Sequence, residues 1–393
     1  MNILVLGGTG AMGIPLVQLL SQRSTVYVTT RRNNPPRIAD NNVKFIIGNA
    51  KEMAFLETVL LQRHWDVIVD FMTWSKEFSK VVKLMLDSTD QYIFISSARV
   101  YAQTDELITE KTPRLLDVSD DTDYLKTNEY ALAKAREENL LFKSGRNNFT
   151  IIRPTITYND YRLQLGVLEK ENWLYRALHG RSIVFSNDIA TKLTTMTFVN
   201  DVATGIAAIV GNKSACGEAF HITCNQSLLW REVLEIYISE IAAKLGYRPR
   251  VVMTQKSTNL FFPSKKYQVI YCRCFNRSFD NKKISYYCDP ASFKEPDTGL
   301  RECIRHFLSE PRFGRIDWAL EAVNDRASGE RTPLSEIHSF VDKLNYIAYR
   351  YSLKFILLPI KVAGKALNSV SKLRKKHHLL QSVSHILSEK NKQ

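Results

Sequence analysis

A glycine-rich turn near the start of the chain constrains this sequence more than any other feature. The largely apolar run Asn2–Leu6 is followed directly by Gly7-Gly8-Thr9-Gly10-Ala11-Met12-Gly13. Glycines at 7, 10 and 13 permit a tight turn and a close approach of the backbone to a pyrophosphate. The N–H groups at the start of the next helix can then bind the anion. The pattern predicts a dinucleotide-binding βαβ unit, and the alternative is a glycine turn without a ligand.

Short apolar runs and longer helix-like stretches alternate over the first 155 residues. The predicted strands are Asn2–Leu6, Thr25–Thr29, Val43–Ile47, Asp66–Phe71, Tyr92–Ser96 and Thr150–Arg153. The predicted helices between them are Met12–Gln22, Ala54–Gln62, Ser79–Leu86 and Glu129–Lys143. This order is typical of an α/β protein, and it predicts a Rossmann-type, doubly wound parallel sheet with helices on both faces.

The regular alternation ends after Pro154. The later elements that we expect are strands at Thr194–Phe198 and Glu218–Ile222 and helices at Val202–Val210, Leu228–Leu245, Gly299–Leu308 and Ile316–Ala327, with residues 256–300 largely irregular. We therefore expect a Rossmann domain over residues 1–160 that also takes in about 194–222. Residues 161–193 and 223–330 would form a smaller substrate-binding part, and 331–393 a basic helical C-terminal extension.

Positive charge is concentrated at the end of the chain. The net charge is +14, and residues 351–393 hold nine Lys or Arg and one acid, which leaves +6 for the other 350 residues. From Leu353 onward, apolar residues recur at helical spacing between basic ones. Such a basic amphipathic helix could lie on an anionic membrane surface, pack on the body or form a dimer contact. No specific nucleic-acid partner is expected for the main body.

Several classes of protein are disfavoured by the sequence. No apolar run approaches the roughly 20 residues that span a bilayer, and the chain begins without a secretory leader. The six cysteines are sparse and lack zinc spacing, so we predict no metal, free thiols and a reducing, cytoplasmic location.

The end of the second predicted strand bears on the choice of dinucleotide. An acidic side chain there would hold the ribose 2′-hydroxyl of NAD. The sequence instead has Arg31 and Arg32, and two guanidinium groups suit a 2′-phosphate. This favours NADP moderately, while two merely solvated arginines would leave NAD open.

A tyrosine and a lysine four residues apart form a second candidate site. Tyr130 and Lys134 would share one face of a helix, and an ammonium group favours the ionised form of a neighbouring phenol. Ser96 and Ser97 end the fifth predicted strand, where strand ends in such sheets line a ligand crevice. Together these residues predict proton-transfer chemistry.

These motifs together resemble the extended short-chain dehydrogenase/reductases, and more closely their NAD-dependent epimerase/dehydratase family. The segments that carry the resemblance are Gly7–Gly13, Asp66–Asp70, Ile95–Tyr101, Tyr130–Lys134, Ile152–Pro154 and Thr197–Ala203. They run in family order across residues 1 to about 245. Residues 256–393 match no motif of the family.

The resemblance implies a role for each candidate residue. Tyr130 would be the general acid/base, Lys134 would bind the nicotinamide ribose and tune Tyr130, and Ser97 would hydrogen-bond the reacting oxygen, with Ser96 as the alternative. The turn that contains Gly7, Thr9, Gly10, Ala11, Met12 and Gly13 would hold the pyrophosphate. Asn49 stands where the family often has an aspartate that contacts adenine.

The resemblance implies an NAD(P)-dependent epimerase or reductase that acts on a nucleotide-linked sugar, and a homodimer. Family dehydratases have an Asp-Glu pair after the strand-end hydroxyl, and Ala98-Arg99 occupies those places here. We therefore disfavour 4,6-dehydration. The alternative is a non-catalytic dinucleotide- or RNA-binding protein of the same fold, and the presence of both Tyr130 and Lys134 argues against it.

Overall fold

The computed structural model describes residues 1–35, 38, 40–260 and 265–353 of the 393-residue chain. The chain divides into two compact units, Met1–Gly314 and Arg315–Gln393. The first unit carries the central sheet and all the candidate site residues.

Thirteen strands occur in the described residues. They are β1 Asn2–Leu6, β2 Thr25–Thr30, β3 Val43–Ile47, β4 Trp65–Asp70, β5 Thr89–Ile95, β6 Phe149–Pro154, β7 Ile156–Tyr158, β8 Ile183–Ser186, β9 Leu193–Thr194, β10 Met196–Phe198, β11 Glu218–Ile222, β12 Leu228–Leu229 and β13 Val251–Thr254. Seven of them form one sheet in the order β3-β2-β1-β4-β5-β6-β11, and every pair in it is parallel. The remaining strands form three two-stranded pairs.

The described helices connect and flank these strands. They are α1 Gly13–Ser21, α2 Met53–Leu61, α3 Phe78–Asp87, α4 Leu115–Val118, α5 Thr122–Leu125, α6 Tyr130–Phe142, α7 Lys170–Leu178, α8 Asn187–Ala190, α9 Val199–Ile209, α10 Trp230–Leu245, α11 Lys266–Gln268, α12 Pro296–Ser309, α13 Trp318–Ser328 and α14 Phe340–Arg350. A π-helical turn, Val269–Arg273, directly follows α11.

The two faces of the central sheet bury two separate apolar clusters. Ile3 and Val5 of β1 point to one face and pack in the same cluster as residues of α1 and α9. Leu4 and Leu6 point to the other face and pack with α2 and α3. Side chains alternate between the faces along each strand, so strands that are apolar at every position are covered on both sides. The predicted Rossmann-type, doubly wound sheet is confirmed.

The elements of the first 155 residues match their predictions closely. β1 and β3 have the predicted bounds, and the other four predicted strands and the four predicted helices differ only at their ends. The largest shift is in β5, which begins at Thr89, three residues before the predicted start at Tyr92. Polar Thr89 and Gln91 are buried and lie outside the apolar run, which hid this part of the strand.

The predictions after Pro154 were less complete. The predicted strand Thr194–Phe198 is divided between β9 and β10, and Leu228–Leu229 pairs with β9 instead of starting α10. Helix α9 begins at Val199, three residues before the predicted start at Val202, with Asp201 in its first turn, where an acid is favourable. Helix α12 begins at Pro296, because proline is suited to the first helical position.

The second unit, as far as Leu353, is built on a pair of helices. Asp317 caps α13 through the backbone N–H of Leu320. Asp325 on the same helix accepts hydrogen bonds from the Tyr346 hydroxyl of α14 at 2.7 Å and from the backbone of Thr332, also at 2.7 Å. These bonds join the two helices of this unit and the loop between them.

The predicted amphipathic tail lies outside the described residues, apart from its first position, Leu353. In the part of the chain that the structure describes, none of the helices has the length and apolar character required to cross a membrane.

Candidate active site

The glycine turn joins β1 to α1 at the carboxyl edge of the sheet. Gly7 has φ +72°, a conformation that favours glycine. A Cβ at Gly13 would lie 2.5 Å from the carbonyl oxygen of Gly8, so the start of α1 packs directly on the turn. Both positions are therefore restricted to glycine by the protein's own backbone.

Gly10 differs from these two glycines because it faces open space. It is exposed, and a Cβ built there would meet only the Gly7 carbonyl oxygen, at 3.9 Å. Met12, at the N-cap of α1, provides no side-chain hydrogen bond to the helix. Free N–H groups and an open approach at Gly10 fit a pyrophosphate. Thr9 and Ala11 lie in the same turn.

The residues predicted to contact the adenosine half of a dinucleotide lie after β2 and β3. Arg31 and Arg32 directly follow β2, and both are exposed. Asn49 is partly buried, donates to Glu52 Oε1 at 3.1 Å and accepts from the Lys51 N–H at 3.2 Å. Their contacts with a cofactor stay predictions.

A cavity of about 290 Å³ opens beside the carboxyl ends of the central strands. Met12, Ser96, Ser97 and Tyr130 line one part of it. Residues from later in the chain line the rest, and those used below are Arg162, Gln164, Cys272, Arg273 and Arg277. The cavity thus brings together Met12 at the end of the glycine turn, the strand-end serines and the candidate tyrosine.

The two strand-end serines have different surroundings. The Ser96 hydroxyl donates to Glu138 Oε1 at 2.6 Å in the buried interior. Among the described residues, the Ser97 Oγ accepts one hydrogen bond, from the Arg99 N–H at 3.2 Å, and so keeps its own proton for another acceptor. This geometry favours Ser97 over Ser96 as the hydroxyl that would contact a substrate.

Tyr130 begins α6 and is 38% exposed. The Arg99 guanidinium lies 5.2 Å from the centre of the Tyr130 ring, and Arg99 also forms an ion pair with Glu129. The pair fixes a positive charge against the ring at the cavity wall. Arg99 occupies one of the two positions where family dehydratases have acids, so a cation replaces an acid beside the candidate tyrosine.

Lys134 is not part of the cavity lining that the described residues form. Its side chain is 3% exposed, its Nζ lies 3.0 Å from Glu137 Oε2, and the same Nζ lies 4.4 Å from the centre of the Phe94 ring. The ion pair does not have hydrogen-bond geometry, so within the described residues both atoms are buried without a hydrogen-bond partner. The ammonium therefore keeps its donors for a further acceptor.

Asp70 adds a second buried carboxyl group to the surroundings of Lys134. It ends β4 and accepts hydrogen bonds from the Tyr92 hydroxyl and the Trp74 Nε1, both at 2.6 Å. Burial raises the pKa of Asp70 and that of Glu137, and the charge of Lys134 opposes both shifts. The lysine is thus held among two desolvated acids.

Three arginines of the cavity wall have no carboxylate partner among the described residues. The Nη1 of Arg162 donates to Thr157 Oγ1 at 3.1 Å, Arg273 Nε donates to the Gly166 carbonyl at 2.8 Å, and Arg277 donates to the carbonyls of Tyr101 and Tyr271. Burial lowers the pKa of Arg273 and of Arg277, and neighbouring arginines add to both shifts. A positive cavity wall without carboxylate partners among the described residues suits an anionic ligand.

Sequence reasoning missed these cavity residues. Cys272 and Arg273 lie in the stretch 256–300 that was expected to be largely irregular, and both line the cavity. Arg153, at the cavity end of β6, is buried and donates to the two carboxylate oxygens of Glu138 at 2.8 and 2.7 Å. His221 is a buried residue of β11, and its Nε2 lies 2.8 Å from the carbonyl oxygen of Asp280.

The chain matches the sequence model of one protein family over most of its first unit. The model of the NAD dependent epimerase/dehydratase family matches residues 3–223, more than half of the chain. The chain belongs to this family. The match begins in β1, ends just after β11, and so covers the central sheet of this epimerase/dehydratase family member.

Two curated proteins are similar to this family member in sequence. The chloroplast stem-loop binding protein of 41 kDa b of Arabidopsis thaliana is 27% identical over 236 residues, which are 56% of this chain and 58% of that protein. The 2′-dehydrokanamycin reductase of Streptomyces kanamyceticus is 21% identical over 240 residues, 60% of this chain and 65% of that protein. The chain thus spans less than two thirds of the length of these relatives, 58% of the first and 65% of the second.

Solved structures of the family share the fold. The UDP-glucuronic acid 4-epimerase from Bacillus cereus, solved with UDP-glucuronic acid and NAD, superposes with a TM-score of 0.58. The superposition covers 79% of this chain and all of that one, at 17% identity. At this identity the likeness establishes the fold alone.

Proposed function

We propose that this chain is an NAD(P)-dependent epimerase or reductase that acts on a nucleotide-linked sugar. One cavity beside the glycine turn brings Ser97 and Tyr130 together with arginines that have no carboxylate partner among the described residues, and this observation carries the proposal. Family membership and the nucleotide-sugar substrates of the solved structures support the same class of substrate.

The glycine turn and Lys134 would hold the cofactor. The open approach at Gly10 and the uncapped start of α1 suit the pyrophosphate. The buried Lys134 ammonium, which has no hydrogen-bond partner among the described residues, suits the hydroxyl groups of the nicotinamide ribose. Arg31 and Arg32 favour NADP over NAD, while the dinucleotide named for the solved neighbour is NAD. When bound, the dinucleotide supplies the acceptor or donor of a hydride.

The proton of the reaction would be carried by Tyr130. Its phenol group would take the proton from a sugar hydroxyl, or return it to a carbonyl oxygen, while the Ser97 hydroxyl hydrogen-bonds the same oxygen. Tyr130 and Ser97 would have the same roles in an epimerisation, which inverts the configuration at the hydroxyl-bearing carbon, and in the net reduction of a keto sugar.

The arginine wall would bind the diphosphate of the substrate. Arg162, Arg273 and Arg277 come from the proposed substrate-binding part of the chain, residues 161–193 and 223–330. Guanidinium groups bind phosphate oxygens through paired, charge-assisted hydrogen bonds. The cavity would therefore join a cofactor side and a phosphate side around the sugar.

The test is turnover of UDP-, GDP- and dTDP-linked sugars with NAD⁺ and NADPH, monitored by mass spectrometry and NMR. We expect conversion by the natural chain and a loss of about 10²–10⁴-fold in Tyr130→Phe, because the proton-transfer group is removed. Tyr286→Phe, at an 86% exposed position, is the matched control and should retain full activity. Unchanged turnover in Tyr130→Phe would contradict the mechanism.

A second candidate function is the binding of structured RNA, which the 27% identical chloroplast stem-loop binding protein favours. The net charge of +14 suits phosphate contacts. The test is a mobility-shift titration with a stem-loop RNA and an unpaired RNA of the same length at two salt concentrations. Preferential binding of the stem-loop supports this function, and equal, weak binding of both RNAs contradicts it.

We also propose a homodimer in the cytoplasm whose basic tail lies on an anionic membrane surface. The nine basic residues of the segment 351–393 are the basis of the membrane contact. Sedimentation with anionic against neutral vesicles tests the contact, and size-exclusion chromatography with light scattering tests the dimer.

A further inference from the structure

Cys272 lies in the wall of the cavity, within the π-helical turn Val269–Arg273. It is 6% exposed, and its Sγ accepts a hydrogen bond from Arg273 Nη1 at 2.9 Å. Molecules that enter the cavity meet this residue as part of the wall. No step of the proposed function uses it.

The surroundings of Cys272 favour the thiolate. Burial by itself would raise the pKa of this thiol, but the charges of Arg273, Arg277 and Arg99 outweigh the burial and lower it. The thiolate, not the thiol, is the nucleophilic form of cysteine.

The other cysteines differ from Cys272 in this respect. Burial raises the pKa of all five other cysteines, Cys216, Cys224, Cys274, Cys288 and Cys303. The pKa reaches about 11 at Cys288 and about 12 at Cys224. Cys274 is the closest comparison because it lies two residues from Cys272 and is half-buried. The chain thus contains its own matched controls.

Two unpartnered polar groups on side chains of the same cavity wall point independently to a ligand. The Nε of Arg277 and the Oε1 of Gln164 are buried without a hydrogen-bond partner within the described residues. Both side chains line the cavity, and they are 7% and 4% exposed. Buried polar groups are normally hydrogen-bonded, so these atoms indicate that the cavity receives a polar molecule.

We propose that Cys272 is an oxidation site of the cavity, at which its thiolate reacts with a hydroperoxide. The sulfur lone pair attacks one peroxide oxygen, so that an S–O bond forms and the O–O bond breaks. The sulfur is oxidised to the sulfenic acid level, and the peroxide is reduced to a hydroxide or alkoxide ion that takes a proton from water. The new oxygen accepts hydrogen bonds from Arg273 and its neighbours.

This modification would compete with a phosphate-bearing ligand for the same guanidinium groups. A nucleoside diphosphate on the arginine wall would in turn cover the thiolate. This second part rests on the proposed function, whereas the reactivity of Cys272 does not.

The experiment exposes the native, full chain to hydrogen peroxide for a series of times and then removes the peroxide with catalase. Remaining thiols are blocked with iodoacetamide in denaturant, oxidised thiols are reduced, and the released thiols are labelled with heavy iodoacetamide. Trypsin cleaves after Arg273, so Cys272 and Cys274 fall in different peptides. We expect Cys272 to oxidise at least about tenfold faster than Cys274, in proportion to its thiolate fraction.

A rate at Cys272 no higher than that at Cys274 overturns the proposal. A second arm adds UDP, for which we expect a several-fold slower oxidation of Cys272 and an unchanged rate at Cys274. Fast oxidation of Cys272 without protection by UDP leaves the oxidation site standing and contradicts the diphosphate site of the proposed function. The two failures are therefore distinguishable.

Discussion

The Nζ of Lys134 lies 3.0 Å from the Oε2 of Glu137, one helical turn further along α6, and both side chains are buried. An ion pair in this environment is sensitive to the loss of one partner, because the remaining charge is desolvated. The pair also places a carboxylate beside the lysine that we propose for the cofactor site. Its two members can be changed separately or together.

Lys134→Met should destabilise the chain by about 3–5 kcal/mol, since it leaves the Glu137 carboxylate buried without its partner. The double variant Lys134→Met/Glu137→Gln should recover much of this loss, because glutamine is neutral and its oxygen can still accept from the Ser75 N–H that Glu137 now binds. Urea unfolding measures both variants. Equal stability of the single and double variants would show that the pair contributes no such coupling.

The glycine turn offers a paired substitution that separates folding from binding. Gly13→Ala should destabilise the chain, because its Cβ would lie 2.5 Å from the Gly8 carbonyl oxygen. Gly10→Ala should keep the wild-type melting temperature, because its Cβ meets only one atom, at 3.9 Å. The same Cβ occupies the proposed pyrophosphate approach, so the Kd for NAD(P) should rise at least about tenfold. The measurement is calorimetric titration with NAD(P). If the folded Gly10→Ala protein binds NAD(P) with wild-type affinity, this placement of the cofactor is contradicted.

His221 should make stability depend on pH. Burial lowers the pKa of His221 below its usual value of 6.5. The charge of Arg153 lowers this pKa further, whereas the charge of Glu110 raises it. Below about pH 6.5 the unfolded chain binds a proton that the folded state rejects, so this stability is present above that pH and is lost as the pH falls toward the folded-state pKa. The contribution is at most about 1.4 kcal/mol per pH unit.

His221→Gln should therefore flatten the fall of the unfolding free energy between pH 6.5 and 5, as measured by urea unfolding at several pH values. His338→Gln, at an exposed position, is the control and should keep the wild-type slope. If the unfolding free energy of His221→Gln has the wild-type slope against pH, the pH dependence of stability arises from other groups.

The central sheet could be predicted from the sequence because most of its strands are buried on both faces. Such strands are recognisable as unbroken apolar runs, as in β1, where Ile3 to Leu6 are all fully buried. Ends defined by polar residues were harder to predict, since Thr89 of β5 belongs to the sheet without being apolar. Local pattern thus predicts the elements better than their limits.

Half of the candidate cavity could not be predicted in this way. Arg162, Cys272 and Arg277 are distant from the glycine turn in the sequence, and Cys272 lies in a π-helical turn without a clear periodicity. Their convergence depends on long-range contacts, which spacing along the chain does not encode. The ion-pair partner of Lys134 could have been predicted from the sequence, because Glu137 lies at i+3 on the same helix, where side chains meet.

The most direct test of the account is mass spectrometry of the nucleotides that the protein retains. The full chain is equilibrated with NAD⁺ and NADP⁺, passed through a desalting column and denatured, and the released nucleotides are quantified. We expect a dinucleotide in near-equimolar amount, with NADP(H) favoured by Arg31 and Arg32, and its loss in Gly10→Ala. The absence of any retained dinucleotide, together with no calorimetric binding of NAD⁺ or NADPH, would contradict the proposed function.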